Sequence, residues 1–254
     1  MLYIEKKRPP RQYLRAVAGI RSSHDWKMIV DGDAKAIRSQ FDLLPKEAIR
    51  EALLVEQHFL CAYCMKRIRN DALHMTIEHW SPLSYDKERA LDYQNFLGVC
   101  KGGADLDDSE SGKRVLCCDA SKGNEVSLTI DPLNLQMMQL ITYDRTGLVS
   151  CKTNPGVNTD AINYDLNEVL KLNGKLLSDG SRIDTTTELI KGRRDAVQAA
   201  QQIYIDLNRK GRLTSAQLER VISQMMKKSE FPEFMGVILF FLERKKKSLE
   251  KQGK

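Results

Sequence analysis

Apolar residues recur at three- and four-residue steps through most of this chain, a spacing that predicts helices with one buried face. Trp26, Ile29 and Val30, then Ala34, Ile37 and Phe41, mark helical structure from Ser22 onward. Pro45 suits a first helical turn and Glu47 favours the same end. The helix they open carries Ala48, Ile49, Ala52, Leu53 and Val55 on its apolar face. Leu189, Val197, Ala200, Ile203 and Leu207 predict another, which bears Arg193-Arg194. Thr214-Ser215 caps a helix built on Leu218, Val221, Ile222 and Met225, and Glu230-Phe231-Pro232 breaks it. The segment from Phe234 to Leu242 begins a helix apolar on nearly every side, which either packs into the core or docks on a partner.

Strand signals are few. Met75-Thr76-Ile77 reads as a short strand running into Glu78-His79, with Pro82 placed to break it. Leu140 to Tyr143, the turn Asp144-Arg145-Thr146-Gly147 and Leu148-Val149 read as a hairpin. Residues 101–114, KGGADLDDSESGKR, predict a flexible polar loop. The expected fold class is α+β and mostly helical, in three sections. These are an N-terminal basic arm with a helical layer (1–58), a central section (59–127), and a hairpin followed by a C-terminal helical region (128–254).

Composition narrows the function classes. Hydrophobic residues at 42% and charged residues at 29% are ordinary for a globular protein. A net charge of +6 fits a polyanionic partner without requiring one. Lys6, Lys7, Arg8, Arg11 and Arg15 surround Pro9-Pro10, and this stretch reads as a solvated, partly extended arm or as a phosphate-contacting one. No apolar run suits a signal peptide, and none approaches the ~20 residues that span a bilayer. A cytoplasmic protein is expected, whose cysteines are better read as metal ligands than as disulfides.

The candidate chemistry falls between Cys61 and Asn124. Cys61-Ala-Tyr-Cys64 turns two thiolates toward one point, and Cys100, Cys117 and Cys118 follow, which together predict a structural zinc site. Glu78-His79 pairs a carboxylate suited to a hard cation with an imidazole suited to accept a proton from water. His24, His58 and His74 lack such a setting and read as surface or packing residues.

In order, this stretch resembles the HNH (ββα-metal) nucleases. It has a Cys-x-x-Cys knuckle, an acid–His pair with Pro three residues on, a mid-loop Asn at position 95, and Cys118-Asp119-x-x-Lys122. The resemblance implies a zinc-supported ββα-metal centre and metal-dependent hydrolysis of phosphodiester bonds. His79 is then the general base, and Glu78 with Asp119 (or Asn124) holds a catalytic Mg²⁺ or Mn²⁺. Asn95 clamps the loop carrying the base, and Lys122 contacts phosphate. Aligning on Lys122 makes Cys118 the fourth zinc ligand with Cys61, Cys64 and Cys100, and leaves Cys117 as the alternative. The long insertion between Cys100 and Cys117 departs from the family's usual short second knuckle.

The Tyr-Asp-x-x-Gly hairpin, the Asn- and Leu-rich segment and the Arg-bearing helix resemble the HNH subunit (PtuB-like) of Septu-type anti-phage systems, which also occur beside retrons. That implies an ABC/SMC-type ATPase partner (PtuA-like), and with a retron its reverse transcriptase and non-coding DNA/RNA. DNA is the favoured substrate, with RNA or tRNA the second. The alternative to an enzyme is a non-catalytic zinc module that binds nucleic acid or the ATPase.

Overall fold

The computed structural model describes residues 1–83, 85–105, 114–123 and 126–253. Helix α1 (Arg11–Ser22) begins directly after Pro9-Pro10 and buries Tyr13, Val17 and Ile20, a row at i, i+4 and i+7. Ser23 caps α2 (His24–Met28) by accepting from the Trp26 amide, and Asp33 caps α3 (Ala34–Asp42) by accepting from that of Ala36. Pro45 precedes α4 (Lys46–Glu56). The basic stretch over 5–15 is solvated in part: Lys7, Arg8, Arg11 and Arg15 are exposed, and residues 5–10 form no helix or strand. Its second half is α1, and Lys6 points inward to an ion pair with Glu56 at 3.0 Å, with the Tyr93 ring 3.9 Å away. A carboxylate and an aromatic face inside the protein outbid water for that one cation.

Strand β1 (Thr76–His79) pairs antiparallel with β2 (Phe96–Val99), setting Glu78 opposite Leu97 and His79 opposite Phe96. Between them lies α5 (Lys87–Ala90), capped by Asp86, and after them comes α6 (Cys118–Lys122). Next are α7 (Leu135–Met138), capped by Asn134, and the expected hairpin of β3 (Ile141–Tyr143) and β4 (Val149–Cys151). In the hairpin turn the Asp144 carboxylate accepts from the amides of Thr146 and Leu148. Gly147 sits at φ +93°, where a Cβ would lie 2.3 Å from the Ile190 carbonyl oxygen, so only glycine lets this turn reach the neighbouring helix.

Helix α8 (Thr159–Tyr164) continues into a π-turn over Asp165–Val169. Two short strands, β5 (Lys175–Leu176) and β6 (Arg182–Ile183), form the third two-stranded sheet. Three helices complete the chain: α9 (Leu189–Arg209), α10 (Ser215–Met226) and α11 (Met235–Glu250). Thr214 and Gln217 close a capping box at the start of α10. The fold is α+β with small sheets among helices. One apolar core takes residues from all three sections, from Met1 to Leu249. The Phe234–Leu242 segment belongs to that core: Met235, Val237, Ile238, Phe241 and Leu242 are buried, so it is no free docking face. Among the described residues no helix is long and apolar enough to cross a membrane.

Arg193 is the largest fully buried side chain. It donates to the Gly147 carbonyl at 2.6 Å, the Leu172 carbonyl at 2.7 Å and Asn173 Oδ1 at 3.1 Å, stitching α9 to the hairpin and to the chain after the π-turn. Arg193→Met keeps volume but strands the buried carbonyls of Gly147 and Leu172, while Asn173 Oδ1 keeps the Val149 amide. Urea unfolding should show a loss of about 2 kcal/mol or more, at roughly 1–3 kcal/mol per stranded group. A loss below about 0.5 kcal/mol, the range of an ordinary surface change, would show that this guanidinium ties nothing together.

Candidate functional site

The chain before Cys61 already fixes the knuckle. Gln57, at the end of α4, donates from Nε2 to the carbonyls of Leu60 (2.8 Å) and Gly98 (2.7 Å), and its Oε1 accepts the Gly98 amide at 2.7 Å. One side chain thus joins the helix, the knuckle and β2. The Cys61 amide donates to Lys66 O, the Met65 amide returns to Cys61 O, and Leu60 bridges Arg67, closing a tight turn around Ala62-Tyr63. Cys100 follows the end of β2, and its amide donates to Cys61 Sγ at 3.3 Å. Cys118 opens α6 with its backbone at φ 53°, its amide held by Leu170 O.

These turns bring Cys61, Cys64, Cys100 and Cys118 together, with all four sulfurs within 4.8 Å of one another. Cys61 and Cys118 lie 4.0 Å apart and Cys64 and Cys100 3.6 Å apart. Sulfurs at the corners of a tetrahedron with metal–sulfur bonds of about 2.3 Å stand about 3.8 Å apart. The four cysteines are therefore positioned to hold a metal ion, and a set made wholly of thiolates selects a soft one. Cys117 is not one of the four: its thiol borders on those of Cys100 and Cys118, but its sulfur lies 3.7 Å from Gly102 O and 3.5 Å from Thr187 Oγ1. Gly102 makes the turn possible, since a Cβ there would lie 1.9 Å from the Cys117 carbonyl oxygen. Residues 106–113, most of the predicted polar loop, lie outside the described residues.

Beside the thiolates lies a cleft of about 350 Å³ whose walls include Glu78, His79, Asp119, Lys122, Lys35 and Arg38. Covalent neighbours connect the two features: Asp119 follows Cys118, and Tyr63 of the knuckle reaches Glu78 Oε1 with its hydroxyl at 3.4 Å. Burial pushes the Glu78 carboxyl up to about 8, against the pull of Lys122, and the nearby Asp119 carboxyl, hydrogen-bonded to it, pushes the same way. Two carboxyls crowded together in this way share a proton unless a cation takes its place. Asn124, the alternative to Asp119, lies outside the described residues.

His79 is 5% exposed, with its ring against Phe41 and Phe96 at 4.5 and 5.0 Å. Its Nε2 lies 3.1 Å from the Ala90 carbonyl oxygen, which can only accept, so Nε2 carries the hydrogen and Nδ1 is the free acceptor of the neutral ring. Burial lowers its pKa to about 3, opposed by the Ala90 carbonyl and reinforced by Arg38, Lys46 and Lys122. The ring is therefore neutral at physiological pH. The strand does not end before this pair: both Glu78 and His79 belong to β1, and both still line the cleft.

Asn95 is 1% exposed and touches backbone alone. Its Nδ2 donates to Ser81 O at 2.9 Å and Arg89 O at 3.0 Å, and its Oδ1 accepts the Ser81 amide at 2.8 Å. It clamps both ends of the loop between His79 and β2 and takes no place in the cleft wall. Lys122 is 4% exposed, paired with the Glu78 carboxylate and donating to His79 O at 2.9 Å. Its ammonium serves the strand, where the sequence had pointed to a phosphate contact. Lys35 and Arg38, exposed one turn apart on α3, supply cations at the cleft. Neither these two nor Gln57 carried any signal in the sequence beyond a polar position on a helix. His24 and His74 are exposed, and His58 stacks on Phe231 at 3.7 Å.

No protein-family model matches this chain, and no curated protein matches it.

The geometry ranks the two adjacent cysteines. Elemental analysis of purified protein should find about one tightly held soft metal ion per chain. Cys118→Ser should lose it, while Cys117→Ser keeps it; the reverse order would move the fourth ligand to Cys117.

Proposed function

We propose that the chain is a zinc-supported, metal-dependent nuclease of the HNH kind that hydrolyses nucleic-acid phosphodiester bonds. The observation that carries this reading is the cleft itself. It gathers a neutral buried imidazole and two crowded carboxyls on a strand–strand–helix unit, and the four-cysteine cluster braces that unit. The order β1, β2, α6 is what the resemblance in sequence leads one to expect.

His79 accepts the proton of the attacking water at Nδ1, its other nitrogen held by Ala90 O. A base whose pKa is near 3 takes up a proton weakly, and a phosphodiester anion in the cleft offsets this by favouring the imidazolium. Glu78 and Asp119 would hold Mg²⁺ or Mn²⁺, which supplies electrostatic stabilisation of the charge on the leaving oxygen. Lys122 keeps Glu78 and the His79 backbone in register. Lys35 and Arg38 anchor the substrate phosphates at the mouth of the cleft. Cys61, Cys64, Cys100 and Cys118 would hold Zn²⁺, which fixes the knuckle against β2 and α6. DNA is the favoured substrate. The ATPase partner, the retron and the defence role rest on the resemblance in sequence.

Replacing His79 by Ala removes the proton acceptor and no proposed metal ligand. Cleavage should fall about 10²- to 10⁴-fold, the usual contribution of a positioned base, with bound zinc kept and the chain still folded, though less stable for the loss of a buried ring. Equal cleavage by wild type and His79→Ala, on DNA and RNA with the ATPase present, would leave the non-catalytic zinc module as the better description.

Arg38→Ala should raise KM while kcat stays within about twofold, as expected when binding is lost equally from ground and transition states. A loss confined to kcat would put Arg38 in the chemistry instead.

A further inference from the structure

The cations near the C-terminus divide between two faces of α11. Lys246 turns toward α10, paired with Glu219 and 3.9 Å from Glu243. Arg244, Lys247 and Lys251 stand at i, i+3 and i+7 on another face, in line with Phe240. That face forms one wall of a cleft of about 610 Å³, larger than the one at His79. The opposite wall comes from the hairpin and carries Thr142 and Lys152. Lys152 is held there by its own backbone, whose amide donates to Leu140 O at 2.9 Å. It also lines a second cleft, of about 470 Å³, as does Gln139, so the two lie next to each other along this side of the hairpin.

The charge in the groove is lopsided. Arg244, Lys247, Lys251 and Lys152 make no ion pair among the described residues, and the acid on the same walls, Glu243, already faces Lys246. Four cations converging on a concave strip about 10 Å long, at 1.5 Å per helical residue, repel one another unless an anion lies between them. A membrane surface would want a convex apolar face, and none of the exposed large hydrophobic residues lies in this groove. An extended polyanion fits better.

We infer that this groove is a second nucleic-acid contact, separate from the His79 cleft, in which Arg244, Lys247, Lys251 and Lys152 neutralise backbone phosphates. The choice of nucleic acid as the polyanion rests on the nuclease reading; the cationic groove does not. Contacts to phosphate are sequence-independent, so the groove adds affinity and length dependence and leaves the chemistry alone.

The test is binding of labelled duplex and single-stranded oligonucleotides by anisotropy between 50 and 200 mM salt, on the full chain, with cleavage measured beside it. Arg244→Gln, Lys247→Gln and Lys251→Gln combined change only exposed positions. The triple variant should bind at least about tenfold more weakly, with a salt slope smaller by about 2.7 for three lost phosphate contacts. Its kcat at saturating substrate should equal that of wild type. Lys152→Gln, on the other wall, should give a smaller loss of the same kind without touching the helix. Affinity and slope unchanged in both variants would overturn the inference while leaving the nuclease reading intact. Wild type that binds through these residues but cleaves nothing would keep the groove and sink the nuclease. Loss of binding to phosphatidylserine vesicles or to an acidic polypeptide, with nucleic-acid binding untouched, would overturn the inference in favour of that other partner.

Discussion

Convergence of four sulfurs on one point is the constraint on which the rest of this structure depends. They come from three separated stretches of chain, and each stretch carries or touches a residue of the cleft within a few residues of its cysteine. Cys61 and Cys64 flank Tyr63, whose hydroxyl reaches Glu78. Cys100 directly follows the strand whose first residue, Phe96, is paired with His79. Cys118 is bonded directly to Asp119. A single ion at the cluster would fix strand register and helix position together, because a tetrahedral site tolerates little displacement of any ligand. A metal site contributes folding free energy outright, in addition to the apolar core that the central section shares with its flanks.

Buried polar side chains extend that order outward. Gln57 satisfies both backbone groups of Gly98, Asn95 binds both ends of the loop after His79, and Arg193 ties the hairpin to α9. Each closes hydrogen bonds that would otherwise be stranded in the interior, where an unmade bond costs more than a made one gains. They also explain why the His79 cleft can hold groups with opposed tendencies. The same burial that raises the pKa of the Glu78 carboxyl keeps His79 neutral. Crowded carboxyls and an uncharged imidazole are side by side because the backbone beneath them cannot relax.

Much of this was legible in the sequence. The helical periods, the Thr214 cap, the Asp144–Gly147 hairpin turn and the four converging cysteines were all written in residue spacing and type. What stayed hidden depended on partners distant in the chain. Lys6 read as part of a solvated basic run because nothing local announces Glu56 and Tyr93 as its destination. Lys122 read as a phosphate contact for the same reason, with Glu78 as its unseen partner. The apolar Phe234–Leu242 segment was ambiguous because an all-round apolar helix looks the same whether its neighbours belong to its own chain or to another. Lys35 and Arg38 are ordinary helix-surface residues until α3 is set against β1. The division of the α11 cations between two faces needs α10 and the hairpin in place before it means anything.

On the proposed reading, the four-cysteine cluster stands beside a cleft that takes a hard cation, the two joined by Cys118-Asp119. Anomalous diffraction from crystals of the protein soaked in Mn²⁺ tests it most directly. At the zinc edge one peak per chain is expected, about 2.3 Å from the sulfurs of Cys61, Cys64, Cys100 and Cys118. A second peak, from manganese, is expected between the Glu78 and Asp119 carboxylates and away from any thiolate. A cluster without zinc, or manganese bound elsewhere with Glu78 and Asp119 bare, would contradict it.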